Sequence, residues 1–183
     1  MNVFITGAAG FIGANSVQAL NARGEKNIIA VDDLRPADKY RNLADLDIID
    51  YLDKDEFLEA FRSGRFGKVR AVFHEGACSD TMETDGQYMM ANNYRYSIDL
   101  LDICTEHHIP FLYASSAATY GEPKVVPILE ISETNPTNPY GATKLAIDHM
   151  ITAESEAYGI SAASLRYFNV AGALKADRGW LAE

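Results

Sequence analysis

The chain has 183 residues, 48% of them hydrophobic and 23% charged, a composition that suits one folded domain with a sizeable core and leaves little length for a second. Its formal net charge of −10 excludes nucleic acid and anionic membrane as main partners, because phosphate-rich surfaces are bound by clustered Lys and Arg. No apolar run approaches the roughly 18 residues of a membrane span, no signal-peptide pattern is present, and Cys78 and Cys104 make no disulfide framework, so a soluble cytoplasmic protein with reduced thiols is expected. The apolar run Val3-Phe4-Ile5 predicts a first strand that ends in glycines, and helical spacing follows from Phe11 to about Ala22. Ile28-Ile29-Ala30-Val31 reads as a second strand ending in Asp32-Asp33, and Leu46-Asp47-Ile48 as a short third. Asp53 to Phe61 has helical spacing, with Phe57, Leu58 and Phe61 on one face. A fourth strand is expected at Val69 to Phe73, a long helix from Tyr88 to about Thr105, and a fifth strand at Phe111 to Ala114. Gly121 to Pro139 holds four of the six prolines and reads as an irregular surface loop. Tyr140 to Tyr158 then predicts a helix and Ala162 to Tyr167 a sixth strand.

Apolar strands alternating with helices mean a parallel sheet covered on both faces. The expected fold class is therefore α/β, a doubly wound, Rossmann-like sheet in a single three-layer domain over residues 1–183. About fifteen residues follow the sixth strand, a charged stretch with the lone Trp180, and on this reading no second domain is present.

Gly7-Ala8-Ala9-Gly10-Phe11-Ile12-Gly13 follows a strand and opens a helix with the spacing G-x-x-G-x-x-G. Such glycines allow a tight turn and close backbone approach, and the helix N-terminus meets a pyrophosphate. Asp32, about twenty residues on, stands where a carboxylate accepts from a ribose 2′-OH. Asp32 and Asp33 repel a 2′-phosphate, whereas Lys39 and Lys54 are near enough in sequence to offset the repulsion, so NAD and NADP are both left open.

Ser115-Ser116 ends the fifth strand, at the sheet edge where ligands bind in such folds. Tyr140 and Lys144 lie four apart on one helix and so share a face. A nearby ammonium and an oxidised nicotinamide both favour phenolate and are expected to lower the Tyr140 pKa, with Ser116 orienting the same substrate oxygen. Other residues read more plainly. His74-Glu75 with Cys78 lacks a C-x-x-C and is rejected as a metal site. His107-His108 read as a solvated helix end, Tyr88, Met89 and Met90 as core packing, and the acidic stretch Asp45 to Asp55 as exposed surface.

In chain order, TGAAGFIG (6–13), Asp32, SSAATYG (115–121), YGATK (140–144) and RYFNVAGA (166–173) resemble the extended short-chain dehydrogenase/reductase superfamily. The resemblance divides. Residues 1 to about 120 look like ADP-glyceromanno-heptose 6-epimerases, through VDDL, Asn42-Leu43-Ala44-Asp45-Leu46, HEGACS, YMMANNY and IPFLYASSAATYG. From about Glu122 the chain looks like UDP-glucose (UDP-galactose) 4-epimerases, through EPKVVPI, NPTNPYGATKLAIDHMI and SLRYFNVAGA. A chimera of two epimerase segments, joined near residues 115–125, is the expectation that follows.

The resemblance implies transient oxidation of a sugar carbinol by bound NAD(P)+, with hydride returned to the opposite face. It implies Tyr140 as acid/base, Lys144 as the residue that lowers its pKa and binds the ribose, and Ser116 as their assistant. It places Thr6, Gly7, Gly10, Phe11, Ile12, Gly13, Asp32, Asp33, Glu75, Gly76, Ala77, Cys78, Ser79 and Asn92 along the cofactor, and Asn169 against a nucleotide sugar of the ADP-heptose or UDP-galactose type. A homo-oligomer is compatible with it. Two departures weaken the transfer: Arg178, with Lys175 nearby, stands where the heptose epimerases carry a second, lysine base, and the C-terminal domain that closes over the sugar in both families is missing on this reading. A sugar-nucleotide 4,6-dehydratase needs an acidic pair after the first catalytic hydroxyl, where Ala117-Ala118 stand. A protein that binds NAD(P) without turnover is the remaining alternative.

Overall fold

The computed structural model describes residues 1–35 and 38–172; the readings placed on Lys175, Arg178 and Trp180 lie outside the described residues. Six parallel strands form one sheet: β1 (Asn2–Thr6), β2 (Ile28–Asp32), β3 (Asp50–Asp53), β4 (Val69–His74), β5 (Phe111–Ser116) and β6 (Ala162–Tyr167). Their order is β3-β2-β1-β4-β5-β6. That order reverses between β1 and β4, so the crevice beyond their C-terminal ends is the topological switch point of a doubly wound sheet. The expected fold class is thus the observed one.

The helices are α1 (Phe11–Ala22), α2 (Lys54–Arg62), α3 (Gly86–Met89), α4 (Tyr96–Glu106) and α5 (Pro139–Tyr158), with a π-helical segment, Met90–Arg95, joining α3 to α4. Successive residues of β1 point to opposite faces, as a pleated strand requires. Val3 and Ile5 pack with Val17 of α1 and with Ile28 and Ala30 of β2. Phe4 points into the larger cluster on the other face, with Phe57 and Phe61 of α2, Leu100 and Leu101 of α4 and Ile147 and Ile151 of α5. There Phe4 meets Phe57, Phe61 and Phe66 edge-on at centroid distances of 5.0, 4.9 and 5.2 Å. Both faces of the sheet are therefore dry, which is why the middles of β1 and β2, Val3–Ile5 and Ile28–Val31, are apolar on both sides.

Three sequence expectations need correction. The third strand is Asp50–Asp53, not Leu46 to Ile48. It is an edge strand with Leu52 as its one buried residue, so no apolar run marks it, while Leu46 and Ile48 pack from the preceding loop onto the β1–β2 cluster. The long helix starts two residues early, where the Asp85 side chain accepts from the Tyr88 N–H at 3.0 Å, and it widens to π geometry at Met90–Arg95. Of the trio assigned to the core only Met89 is buried; Tyr88 and Met90 are 44% and 48% exposed. Asp45, Asp47, Asp50 and Asp55 are exposed as expected, and so are His107 and His108 at the end of α4.

Candidate active site

The glycine loop is built by the absence of side chains. Gly7 leaves β1 with φ +67°, and a Cβ there would lie 2.6 Å from the backbone N of Gly76 and 2.8 Å from the carbonyl carbon of Glu75. A Cβ on Gly13 would collide with the Gly7 carbonyl oxygen and come within 2.7 Å of the Gly7 carbonyl carbon. Gly10 closes the turn by donating to the Gly7 carbonyl at 2.9 Å, then stands at the N-cap of α1 without any side-chain cap. No acidic residue occupies the first turn of α1. A half-exposed helix start with uncapped N–H groups, set in a cradle that a methyl group would fill, suits a diphosphate. Among the loop residues, Thr6 is buried, while Gly7, Gly10, Phe11 and Ile12 are half-exposed along the cleft.

A second loop, 75–79, lies directly against the first. The Glu75 N–H donates to the Thr6 carbonyl at 3.1 Å and the Gly76 N–H to Thr6 Oγ1 at 3.3 Å. Asn93, fully buried in the π-helical segment, grips the far end: its Oδ1 accepts from the Cys78 N–H at 2.8 Å and its Nδ2 donates to the Cys78 carbonyl at 2.9 Å. Asn92 is half-buried and donates to Asn93 Oδ1 at 3.1 Å. Asn93 was missed from sequence, since nothing in the run Asn92-Asn93 says which amide faces the loop; the wider π turn decides it. Ala77 and Cys78 are half-exposed and Ser79 is exposed. His74, the rejected metal ligand, is a buried strut whose Nδ1 meets Thr6 Oγ1 at 2.5 Å and whose Nε2 meets Ser97 Oγ at 2.7 Å. Burial holds it neutral, with its pKa down to about 3.

At the end of β2, Asp32 is 5% exposed and its carboxylate is heavily engaged. Oδ2 accepts from the Ala9 N–H of the glycine loop at 2.8 Å, and Oδ1 accepts from the Asp33 N–H at 2.7 Å and from Lys39 Nζ at 2.6 Å. Asp33 holds Arg35 by a two-pronged pair of 2.7 Å bonds, which draws its own pKa down to about 2. Lys54 Nζ lies 2.9 Å from Asp55 Oδ1. The sequence reading brought Lys39 and Lys54 to this corner and passed over Arg35.

The third part is the Tyr140–Lys144 helix. Asn138 caps α5 by accepting from the Gly141 N–H at 2.7 Å, and Pro139 opens the first turn, where its missing N–H costs nothing. Gly141 lets this end close on the turn after Ser116: a Cβ there would lie 2.6 Å from the Ala118 carbonyl oxygen. That approach sets Tyr140 beside the Ser116 side chain. One turn on, Lys144 is 2% exposed, donates to the Ala114 carbonyl of β5 at 2.7 Å, and lies 4.6 Å from the Tyr113 ring centroid and 5.7 Å from that of Tyr140.

Burial, not pairing, sets the charges here. It pushes the Lys144 ammonium down to about 8, against the raising influence of Glu75 and Asp148. It pushes the Glu75 carboxyl up to about 7, where Lys144 and a 3.5 Å contact from the Tyr167 hydroxyl pull back. Glu75 Oε2 and Asp148 Oδ1 are buried without a partner among the described residues. Burial also raises the Tyr140 phenol above its ordinary range, and the neighbouring Ser116 hydroxyl pulls it back only in part. The Lys144 ammonium itself is turned to the Ala114 carbonyl. Asp148 and Arg166, also unforeseen, form a 2.9 Å pair, and Arg166 reaches the Tyr120 hydroxyl and the Glu130 carbonyl at 3.1 Å each, tying the 121–138 loop to α5 and β6. Asn169 is exposed, two residues beyond β6.

With this geometry in view, comparison with known proteins is direct. The pattern of the NAD dependent epimerase/dehydratase family matches residues 3–181. Similar solved structures include UDP-glucose 4-epimerase from Brucella ovis in complex with NAD, at 32% identity and TM-score 0.79 over 92% of this chain and 52% of that one. UDP-N-acetylglucosamine 4-epimerase from Methanobrevibacter ruminantium M1, in complex with UDP-N-acetylmuramic acid, matches at 30% identity and TM-score 0.81 over 93% and 56%. UDP-glucose 4-epimerase from Thermus thermophilus, complexed with NAD, matches at 30% identity and TM-score 0.78 over 91% and 55%. The chain thus spans about half the length of the structures it matches. Among the described residues no helix is long and apolar enough to cross a membrane.

Proposed function

The chain belongs to the NAD dependent epimerase/dehydratase family, and from that premise we propose that it is the dinucleotide-holding domain of a nucleotide-sugar epimerase. The observation that carries this reading is the convergence of Tyr140, Ser116 and Lys144 on the crevice that the glycine cradle opens onto. When bound, NAD(P)+ would accept hydride from a sugar carbinol to leave a ketone, and the resulting NAD(P)H would return that hydride to the opposite face. The chain's own residues do the rest. Gly7, Gly10 and Gly13 admit the diphosphate to the start of α1, with Phe11 and Ile12 beside it. Asp32 receives the adenosine ribose, and Thr6 and the loop from Glu75 to Ser79 wall the middle of the site, with Asn92 and Asn93 behind them. Tyr140 removes the carbinol proton and gives it back, Ser116 holds the same oxygen, and Lys144 supplies the positive charge that favours phenolate once the cofactor is in place.

The sugar is of the UDP-hexose or ADP-heptose type, with Asn169 on its side of the site. We also read the chain as two epimerase segments meeting near residues 115–125, and its free thiols suit the cytoplasm. The test begins with calorimetric titration by NAD and NADP; failure to bind either ends the proposal. Turnover is then assayed with UDP-galactose and with ADP-heptose. Tyr140→Phe is expected to keep dinucleotide binding and to lose at least about a hundredfold in any epimerisation measured.

A further inference from the structure

Of the four histidines His74 alone is buried, and the reaction outlined above makes no use of it. Its two ring nitrogens meet hydroxyls from opposite sides, Thr6 Oγ1 on Nδ1 at 2.5 Å and Ser97 Oγ on Nε2 at 2.7 Å. Thr6, Ser97 and Asn93 are themselves buried, so their hydrogen bonds have to close among one another.

The direction of each bond follows from the far end. The Asn93 carbonyl oxygen can only accept, and it lies 2.5 Å from Ser97 Oγ, so the one hydroxyl hydrogen of Ser97 is spent there. Ser97 Oγ then meets the imidazole only as an acceptor, which puts a hydrogen on Nε2. Burial and the Lys144 ammonium keep His74 neutral, and a neutral imidazole has one N–H, so Nδ1 is bare. A bare Nδ1 takes the Thr6 hydroxyl hydrogen, and Thr6 Oγ1 accepts in turn from the Gly76 N–H at 3.3 Å. The chain therefore runs one way, from Gly76 through Thr6, His74 and Ser97 to the Asn93 carbonyl. Its two ends grip one loop. Gly76 belongs to the 75–79 loop, and the Asn93 side chain holds both backbone groups of Cys78 at its other end, at 2.8 and 2.9 Å. A neutral imidazole presents an acceptor and a donor on opposite sides of one rigid ring, which is what joining two hydroxyls in this order requires.

We propose that His74 is a positioning residue for the dinucleotide site: as the Nε2–H tautomer it sets the order of a buried hydrogen-bond chain that fixes the 75–79 loop against the glycine cradle. The inference rests on the dinucleotide-binding reading above, and the two are tested separately. Long-range proton–nitrogen correlation NMR of the isotopically labelled whole chain at neutral pH is expected to show His74 protonated on Nε2 and bare on Nδ1. Ser97→Ala removes the acceptor of that N–H at a buried position on α4. It is expected to populate the Nδ1–H form and to weaken NAD about tenfold in titration calorimetry. Thr105→Val, which takes from the same helix a buried hydroxyl with no partner among the described residues, is expected to change the NAD Kd less than about twofold. The wild-type spectrum needs no variant, so it decides the order of the chain even where Ser97→Ala does not fold. An Nδ1–H tautomer in the wild type, a Ser97→Ala variant that binds NAD like the wild type, or equal weakening by Ser97→Ala and Thr105→Val overturns the positioning role and leaves the dinucleotide site standing. A wild type that shows the Nε2–H tautomer yet binds neither NAD nor NADP overturns the dinucleotide reading, and the positioning role with it.

Discussion

The two ends of the cleft handle charge in opposite ways. At the Asp32 corner three carboxylates, Asp32, Asp33 and Asp55, each have a cation at 2.6–2.9 Å, the outer groups are wet, and Asp33 is held down at about 2. At the Tyr140 end a single ammonium is buried with two carboxyl groups, and it donates to a backbone carbonyl instead of to either of them. Desolvation therefore dominates there: Lys144 falls to about 8, Glu75 rises to about 7, and the phenol of Tyr140 rises as well. A recognition corner needs fixed charges that water and ligand exchange freely. A proton-transfer corner needs groups poised to change charge, which paired surface ions are not.

The largest expected effect strikes what the two ends share, the glycine cradle. Gly13→Val drives a side chain into the Gly7–Ala8 backbone and is expected to abolish dinucleotide binding, by more than about a hundredfold, and to destabilise the fold by about 3 kcal/mol or more. Calorimetry and a denaturant melt check it; near-normal binding would mean the loop is not the diphosphate site.

Next in size is Asp148→Ala, which strands the partly hydrated Arg166 beside Tyr120 and Glu130 and is expected to cost about 2 kcal/mol in denaturant unfolding. A loss under about 1 kcal/mol would show this end to be more hydrated than its 4–5% exposure at Asp148 implies.

Glu75 then sharpens the contrast through pH. Its folded pKa, about 7, stands above the ordinary 4.5. Below 4.5 both states hold the proton and the group is neutral to stability; between 4.5 and about 7 only the unfolded state gives the proton up, so stability falls over that window and levels off once the folded group ionises. Glu75→Gln is thus expected to match the wild type at acid pH and to exceed it above pH 7 by about 3 kcal/mol at most. The difference between the two proteins is the quantity to measure. His74, lowered to about 3, makes both of them gain stability as pH rises over the acid range, and Lys144, lowered to about 8, makes both gain again between about 8 and 10.5. A constant offset across the whole range would refute a buried, shifted carboxyl.

The smallest effect belongs to the ribose corner. Arg35→Ala, which breaks a solvated pair, is expected to leave the melting temperature unchanged. A clear drop in melting temperature would erase the distinction between the two ends.

How much was legible beforehand follows from which signals are local. The glycine loop, Asp32 and the Tyr140–Lys144 spacing stand within one strand–turn–helix or one helix, so their placement could be read from order and spacing. The third strand was missed because an edge strand buries a single residue, Leu52. Asn93, Arg166 and Asp148 were missed because each acts across a long stretch of chain, as with Asn93 and Cys78, fifteen residues apart through a π turn.

By itself, then, the sequence determined the α/β class, the dinucleotide cradle and the pairing of a phenol with a lysine, because glycine geometry and helical periodicity are properties of short segments. Only the tertiary structure decided the charge states. A pKa depends on how much water is left around a group and on which groups arrive from elsewhere in the chain. That is how Lys144 came to lie under Ala114, Glu75 beside Tyr167, and Lys39 on Asp32.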